Sequence, residues 1–337
     1  MFKIIIKKLL FIPLASFIVS SLAFLVVNIT PGDPVEVIAG GVASEETKNE
    51  IRIELGLDKN LFERYVSYLD DLSKGSLGNS FYTKIPVLDS INQYLFDTFE
   101  LIIMSLIVAL IFGFIIGSTG AYFRGKLPDK ITNVLLSIIQ SVPDFFLGLL
   151  LIYILFFKLQ AVPAPVGRIG LGEIPPPEIT GGMIIDSILD KNWSLFLSSL
   201  KHSILPALTL GIFYSSYFGR TTRNVLGGSL NSKQVEFAKS LGLSKKRIFI
   251  YALVDARTPI ITYIAILFAG LFGASAIIET VFAWNGIGSW AINKILMLDI
   301  PAIQGYILFA GLITLLTYTI LDLIVTFIDP RIRKKVL

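Results

Sequence analysis

The chain has 337 residues, of which 54% are apolar or aromatic and only 16% carry a charge. A soluble domain averages about 45–50% apolar and about 25% charged residues, so this composition indicates a membrane protein and excludes a disordered chain. The sequence contains no cysteine, which excludes a disulfide scaffold, and its net charge of +4 is too small to require a nucleic-acid partner.

Long uncharged runs predict six transmembrane helices. A run of about 20 apolar residues crosses a hydrocarbon core about 30 Å thick, because an α-helix rises 1.5 Å per residue. The first run could be a cleaved signal peptide, but its uncharged stretch exceeds a typical signal core, so we expect a retained anchor. The fourth run is the shortest and contains Pro206. The predicted spans are 9–29, 101–122, 131–157, 203–219, 258–278 and 302–321.

The basic residues are sorted between the two sides of these spans. Segments on the side of both termini carry 18 Lys and Arg residues against 4 acids, whereas segments on the other side carry 11 against 18. Cytoplasmic segments are enriched in Lys and Arg, so both termini are predicted to be cytoplasmic. The predicted location is the bacterial cytoplasmic (inner) membrane.

The first segment on the opposite side, residues 30–100, is predicted to form a small helical subdomain. Ser44 can cap one helix that stops near Gly56, and further helices are expected over 61–72 and 87–96. Their apolar faces should rest on the membrane domain. The second such segment, 158–202, is rich in proline and is expected to lack regular structure apart from a short helix at 182–189. It either contacts a partner or only links two spans.

The cytoplasmic segment 220–257 holds eight basic residues and two acids. Residues 232–246 are predicted to form an amphipathic helix. One interpretation is a basic helix that lies on anionic lipid. The other is a docking helix, because the small residues Ala238 and Gly242 would let the surface of another protein come close. The spacing leaves both open.

Short motifs follow one another in a fixed order over nearly the whole chain. They are PGDP (31–34), LGLD (55–58), RY (64–65), GSLGNSF (75–81), ILP (204–206), RTTR (220–223), EFA (236–238) followed by Gly242, ETV (279–281), GIG (286–288), Asp322 and DPRIR (329–333). Together they resemble the B-type permease of the peptide/nickel family of bacterial ABC importers. Phe237 and the stretch 254–256 depart from the family pattern.

This resemblance implies a type I ABC-importer-like permease fold, with a coupling helix at about 232–241 seated in a cleft of an ATP-binding subunit. Gly242 would allow the sharp turn after that helix. The implied partners are a homologous second permease, two cytoplasmic ATP-binding subunits that hold ATP and Mg²⁺, and an extracytoplasmic solute-binding protein. The implied cargo is a di- or oligopeptide, with nickel or a metal chelate as the alternative. The ATPase-coupling residues would be Arg220, Arg223, Glu236, Phe237, Ala238, Leu241, Gly242 and Lys245.

Asp144 follows Pro143 at the midpoint of the third span. An acid at this depth is costly, so it either faces the substrate pathway, where it could contact a peptide amine, or caps a break in the helix. We expect Glu279 to be solvated and His202 to lie at the membrane interface. Asp322 is expected to form an interfacial or interhelical hydrogen bond. Pro206, Pro259 and Pro301 are expected to mark helix starts.

No phosphate-binding loop or protease motif occurs, and His202 is the only imidazole, so the sequence predicts a transport subunit without catalytic residues, metal or cofactor of its own. An intramembrane enzyme and a self-contained channel or secondary transporter are the alternatives. The predicted protein is all-α, with a cytoplasmic N-terminus and first span (1–29), an outer helical subdomain (30–100), a permease core (101–328) and a cytoplasmic tail (329–337).

Overall fold

The computed structural model describes residues 2–40 and 42–328, and helices make up most of this part of the chain. The predicted tail and its motif at 329–333, as well as the Asp322 side chain, lie outside the described residues. The helices are α1 (Phe2–Ile29), α2 (Pro34–Ala39), α3 (Glu45–Glu54), α4 (Leu61–Ser73), α5 (Val87–Tyr122), α6 (Leu127–Ser141), α7 (Asp144–Leu151) with its π-helical continuation (Ile152–Lys158), α8 (Met183–Leu189), α9 (Trp193–Leu230), α10 (Lys233–Ser240), α11 (Lys245–Val281), α12 (Ile287–Leu296) and α13 (Ile300–Ile328).

Five of these helices, α1, α5, α9, α11 and α13, are long and apolar enough to cross a membrane. The sixth predicted span is a broken one, because α6 and the unit formed by α7 and its π-helical end meet at an angle of 99°. Pro143 lies at that break, where its missing N–H and fixed φ interrupt a helix. The prediction of six spans is therefore confirmed if the bent pair counts as one.

Two prolines lie where a helix start was predicted and none exists. Pro206 is inside α9 and Pro259 is inside α11, each about four turns after the first residue of its helix. The prediction failed because both helices begin well before their apolar runs, in segments that contain polar residues. Pro301 does fit the prediction, since it is the second residue of α13.

The outer subdomain contains the caps that the sequence predicted. The Ser44 hydroxyl accepts the Thr47 N–H at 3.2 Å at the start of α3, and Gly56 has a φ of +64° just after it ends. The predicted separate helix at 87–96 is wrong, because α5 runs unbroken from Val87 to Tyr122. Asp97 and Glu100, which follow the predicted end of that helix, are buried within α5.

A buried ion pair attaches the subdomain to the membrane domain. Lys294 in α12 donates to the Asp299 carboxylate at 3.0 Å, and Asp299 has no exposed surface. The same carboxylate accepts the Ser80 hydroxyl at 2.6 Å and the Phe81 N–H at 3.0 Å. The GSLGNSF motif is thereby fixed to the α12–α13 junction.

The centre of the membrane domain is the packing of α5 against α9. Glycines on both helices let the backbones approach, as small residues do between membrane helices. A Cβ at Gly117 would collide with the carbonyl of Gly219, and a Cβ at Gly211 would collide with Val108. The helix α11 packs on the same pair and completes two buried apolar clusters.

Candidate functional site

The connection between α9 and α11 contains one short helix, α10. The Ser232 hydroxyl accepts the Val235 N–H at 3.4 Å at its start, and the helix ends at Ser240. Gly242 follows with a φ of +74°, a conformation that glycine adopts without steric cost. The predicted helix over 232–246 is therefore wrong, because this turn divides it and Lys245 begins α11.

The two sides of α10 differ in exposure. Val235 is 1% exposed and Ala238 5% exposed, and Val235 packs in the apolar cluster that α9 and α11 form. Phe237 and Leu241 are each 65% exposed and lie one helical turn apart. The expectation that Ala238 offers a small docking face is wrong, since it is turned into its own chain. The outward face is instead formed by Phe237 and Leu241, and we call this pair the α10 face.

Charged side chains surround the α10 face. Glu236, Lys239 and Lys245 are exposed, and so is Gly242, whose Cα faces open space. The face is therefore a small apolar patch with a mainly basic border. Apolar anchors inside a charged rim are typical of protein interfaces.

The two predicted arginines lie away from the α10 face and contact α6. Arg223 donates to the Asp129 carboxylate at 2.5 Å, and Arg220 donates to the Ser137 hydroxyl at 3.2 Å. Asp129 also accepts the Gly125 N–H at 2.8 Å. Sequence reasoning missed Asp129, which it counted only as one acid in a basic loop. These contacts connect α9, and with it α10, to the broken span.

Asp144 is the first residue of α7, directly after the break. Its carboxylate accepts the Phe145 N–H at 2.7 Å, and its side chain is only half-buried. One turn later, Gly148 packs against Thr209 of α9 and against Phe282. Asp144 also lies within electrostatic reach of Tyr214 on α9. The structure thus places this acid at a helix N-terminus, where negative charge is favoured.

Glu279 was predicted to be solvated, and this prediction is wrong. It has no exposed surface, and its carboxylate accepts the Thr98 hydroxyl at 2.7 Å and the Ser289 N–H at 2.8 Å. The Thr98 oxygen in turn accepts the Ile287 N–H at 2.9 Å. This cluster joins α5, α11 and α12 because α11 continues past its apolar run and carries Glu279 between the other two helices.

The segment between the π-helical end of α7 and α9 is held by buried acids. Arg168 forms an ion pair with Asp97 of α5, and burial lowers the pKa of Arg168 to about 10, so it stays charged at neutral pH. Burial would raise the pKa of Asp186, but hydrogen bonds from Thr180 and neighbouring backbone N–H groups lower it below its usual range. The predicted short helix is confirmed as α8, and its two N–H groups at Ile184 and Ile185 donate to Glu100.

His202 lies within α9, where its Nδ1 contacts the Ser198 carbonyl at 2.8 Å. Among the described residues, no group of three or more His, Asp or Glu side chains is arranged to hold a metal ion.

Long apolar helices, one broken span and a short exposed helix between two of the spans define a multi-pass, all-helical membrane transport subunit. The chain belongs to the family described as binding-protein-dependent transport system inner membrane component, which matches residues 85–334. The N-terminal part of such membrane components matches residues 1–102. Members are permease components of ABC transporters, so the chain is a transport subunit and the alternative of an intramembrane enzyme is wrong.

Three relatives are similar over nearly their whole length. The chain is 34% identical over 312 residues to a probable D,D-dipeptide transport system permease protein of Escherichia coli, with 92% of each chain covered. It is 33% identical over 319 residues to a di/tripeptide transport system permease protein of Pseudomonas aeruginosa, with 94% of each covered. It is 32% identical over 336 residues to a glutathione transport system permease protein of Escherichia coli, covering 99% of this chain and 100% of the relative.

Proposed function

We propose that this chain is one of the two permease subunits of an ATP-driven importer that moves di- or oligopeptides inward across the bacterial cytoplasmic membrane, with both termini in the cytoplasm. The names of the relatives refer to dipeptides, tripeptides and glutathione, which favours peptides over nickel or a metal chelate. The observation that carries the proposal is the α10 face, an exposed apolar pair on a helix that is itself packed firmly between two spans.

In the proposed assembly, a second homologous permease completes the pathway and a solute-binding protein delivers the peptide from outside. Two cytoplasmic ATP-binding subunits, which hold ATP and Mg²⁺, receive α10 of each permease. Closure of these subunits on ATP moves α10, and the outward-open and inward-open states then differ in their affinity for the partners. ATP hydrolysis belongs to the partner subunits, and this chain contributes no catalytic group.

The contacts of α10 suggest how its movement reaches the pathway. Val235 packs against the ends of α9 and α11, so α10 moves together with both helices. The ion pair between Arg223 and Asp129 connects α9 to α6, and α6 leads to the break before Asp144. We propose that the α10 face contacts an ATP-binding subunit directly, and that the two arginines and Ala238 act through contacts inside this chain. The residues proposed to act in coupling are Arg220, Arg223, Glu236, Phe237, Ala238, Leu241, Gly242 and Lys245.

The test is uptake of a labelled dipeptide into liposomes that contain the complete assembly. We expect uptake only when ATP is present on the side of the ATP-binding subunits and the solute-binding protein is present on the other. This chain reconstituted alone should give no uptake. Transport by the isolated chain without ATP would contradict the proposal. ATP-dependent uptake of nickel but not of peptide would contradict the proposal that the cargo is a peptide.

We propose that Asp144 faces the pathway and attracts the amino group of the peptide. The substitution Asp144→Asn removes the charge and keeps the shape, so we expect uptake of a dipeptide with a free amine to fall about tenfold, the loss that a charge-assisted hydrogen bond of about 1.5 kcal/mol corresponds to. Uptake should be measured in the same liposomes under initial-rate conditions.

The matched control for this substitution is Asp89→Asn, which changes an exposed acid in the first turn of α5. It should leave uptake unchanged. An N-acetylated dipeptide offers a second comparison, because its uptake should not distinguish Asp144→Asn from the unmodified protein. If the unmodified protein and the Asp144→Asn variant take up the unblocked dipeptide at equal rates, Asp144 has a purely structural role at the break.

A further inference from the structure

A polar cavity of about 260 Å³ lies between the outer subdomain and the membrane domain. It is bounded by α4 and the turn before it, by the GSLGNSF motif, and by residues of α1 and α13. Three motifs that the coupling function does not use, LGLD, RY and GSLGNSF, all contribute to its wall. The lining residues used below are Phe24, Lys59, Arg64, Tyr68, Ile300 and Gln304.

Three polar side chains of this cavity lack partners. Gln304 in α13 is only 6% exposed, yet no hydrogen bond reaches its carboxamide from the part of the chain that the structure describes. The Tyr68 hydroxyl is buried and also without a partner, and burial raises its pKa to about 12, so it remains a donor. The Arg64 guanidinium forms no ion pair with a described residue. Buried polar groups are nearly always hydrogen-bonded, so the Tyr68 hydroxyl and the Gln304 carboxamide, with the half-buried Arg64 guanidinium beside them, indicate a missing ligand.

The charges around the cavity favour an anion. Lys59 and Arg64 are basic, and Asp71 is the single acid in the wall. Arginine and tyrosine donors together with an amide are a donor set that suits the oxygens of a phosphate group. A phosphodiester carries one negative charge, which equals the excess of positive charge in the wall.

Two apolar grooves adjoin this cavity. One, of about 430 Å³, runs between α1 and α4 and shares Phe24 with it, and Phe62 on its rim is 74% exposed. The other, of about 200 Å³, runs between α1, α12 and α13 and shares Ile300. Phe24 lies about 7.5 Å before the end of α1 and Gln304 about 6 Å after the start of α13, which is the level at which the polar part of a lipid meets its acyl chains.

We infer that this cavity and its two grooves form a binding site for one phospholipid, with the phosphodiester at Arg64, Tyr68 and Gln304 and one acyl chain in each groove. A free phosphate ion would use the polar cavity but leave both grooves uncovered. The site would fix the amphipathic helix α4 to the membrane surface. This explains why its apolar residues Leu61, Phe62 and Val66 remain exposed.

The first experiment uses the purified transporter assembly and native mass spectrometry to count retained phospholipid. We expect one phospholipid per copy of this chain in the unmodified assembly and about tenfold lower retention with Arg64→Gln, the effect of one lost charge-assisted hydrogen bond. The matched control is Lys74→Gln, which removes an exposed positive charge at the end of the same helix. Equal retention in both variants would overturn the inference.

A second experiment needs no substitution in the site. The unmodified assembly is reconstituted into liposomes that contain phosphatidylglycerol with a photoreactive group in one acyl chain. After illumination, the labelled residues are identified by mass spectrometry. We expect labels within 61–65 or 295–307. Labels spread evenly over the spans would overturn the inference, as would a delipidated assembly that binds inorganic phosphate but takes up no phosphatidylglycerol.

Discussion

Replacing Phe237 and Leu241 together by alanine is expected to abolish ATP-coupled transport and leave the permease folded. Both side chains project from α10 with 65% of their surface exposed, so truncating them removes contact area and creates no cavity in this chain. Aromatic anchors at interfaces cost about 2 kcal/mol or more when truncated, which is about thirtyfold in affinity. The measurement is peptide uptake together with ATP hydrolysis by the reconstituted assembly.

The matched control is Ile53→Ala in α3, because Ile53 is also 65% exposed and lies on the outer subdomain. It should transport at the normal rate. Unchanged coupled transport in the double variant would mean that the α10 face contacts no ATP-binding subunit. A loss of assembled permease in the double variant would instead indicate a role in folding, and gel filtration of the detergent-extracted complex separates these cases.

Cross-linking distinguishes the two sides of α10 directly. The sequence has no cysteine, so Phe237→Cys introduces a single thiol into this chain. We expect this thiol to form a cross-link to an ATP-binding subunit in the working complex. Ala238→Cys, one position away, should form none, because Ala238 is 5% exposed and is covered by its own chain. A stronger cross-link from position 238 would reverse the assignment of the two sides.

The sequence predicted the spans, the cap at Ser44 and the turn at Gly242, because these features depend on local patterns. Runs of apolar residues define membrane helices, a hydroxyl before a helix accepts a free N–H, and glycine permits a positive φ. The position of Gly242 also predicted the turn that follows α10. Local patterns do not, however, give the side of a short helix that faces its own chain.

The errors concern polar residues whose partners are distant in sequence. Glu279 was expected to be solvated, since a count of charges does not include the hydrogen bond from Thr98, and Asp97 was not singled out although it forms a buried ion pair with Arg168. Those partners lie 71 to 181 residues away along the chain. Ala238 was expected to lie on an outward docking face because the sequence does not show which parts of the chain cover it. Its size is visible in the sequence, but the neighbouring helices that cover it are not.

Lys294→Met is expected to destabilise the permease strongly, because it leaves the Asp299 carboxylate buried without its cation. Asp299 has no exposed surface and would keep only the Ser80 hydroxyl and the Phe81 N–H as partners. Removing one member of a buried ion pair costs about 3–5 kcal/mol, most of which is the penalty of the remaining charge. Thermal unfolding of the detergent-solubilised permease measures the loss.

The double variant Lys294→Met and Asp299→Asn tests whether that cost is electrostatic. It removes both charges and keeps an oxygen that can accept from Ser80 and Phe81, so we expect most of the stability to return, because a buried pair replaced as a whole is often close to neutral. The GSLGNSF motif is fixed to this carboxylate, so the single variant should also be cleaved faster by protease within 75–86, and the double variant should not. If the two variants unfold at the same temperature, the cost arises from loss of the Lys294 ammonium, which lies 6.0 Å from the centre of the Trp290 ring, and the ion pair does not hold the outer subdomain in place.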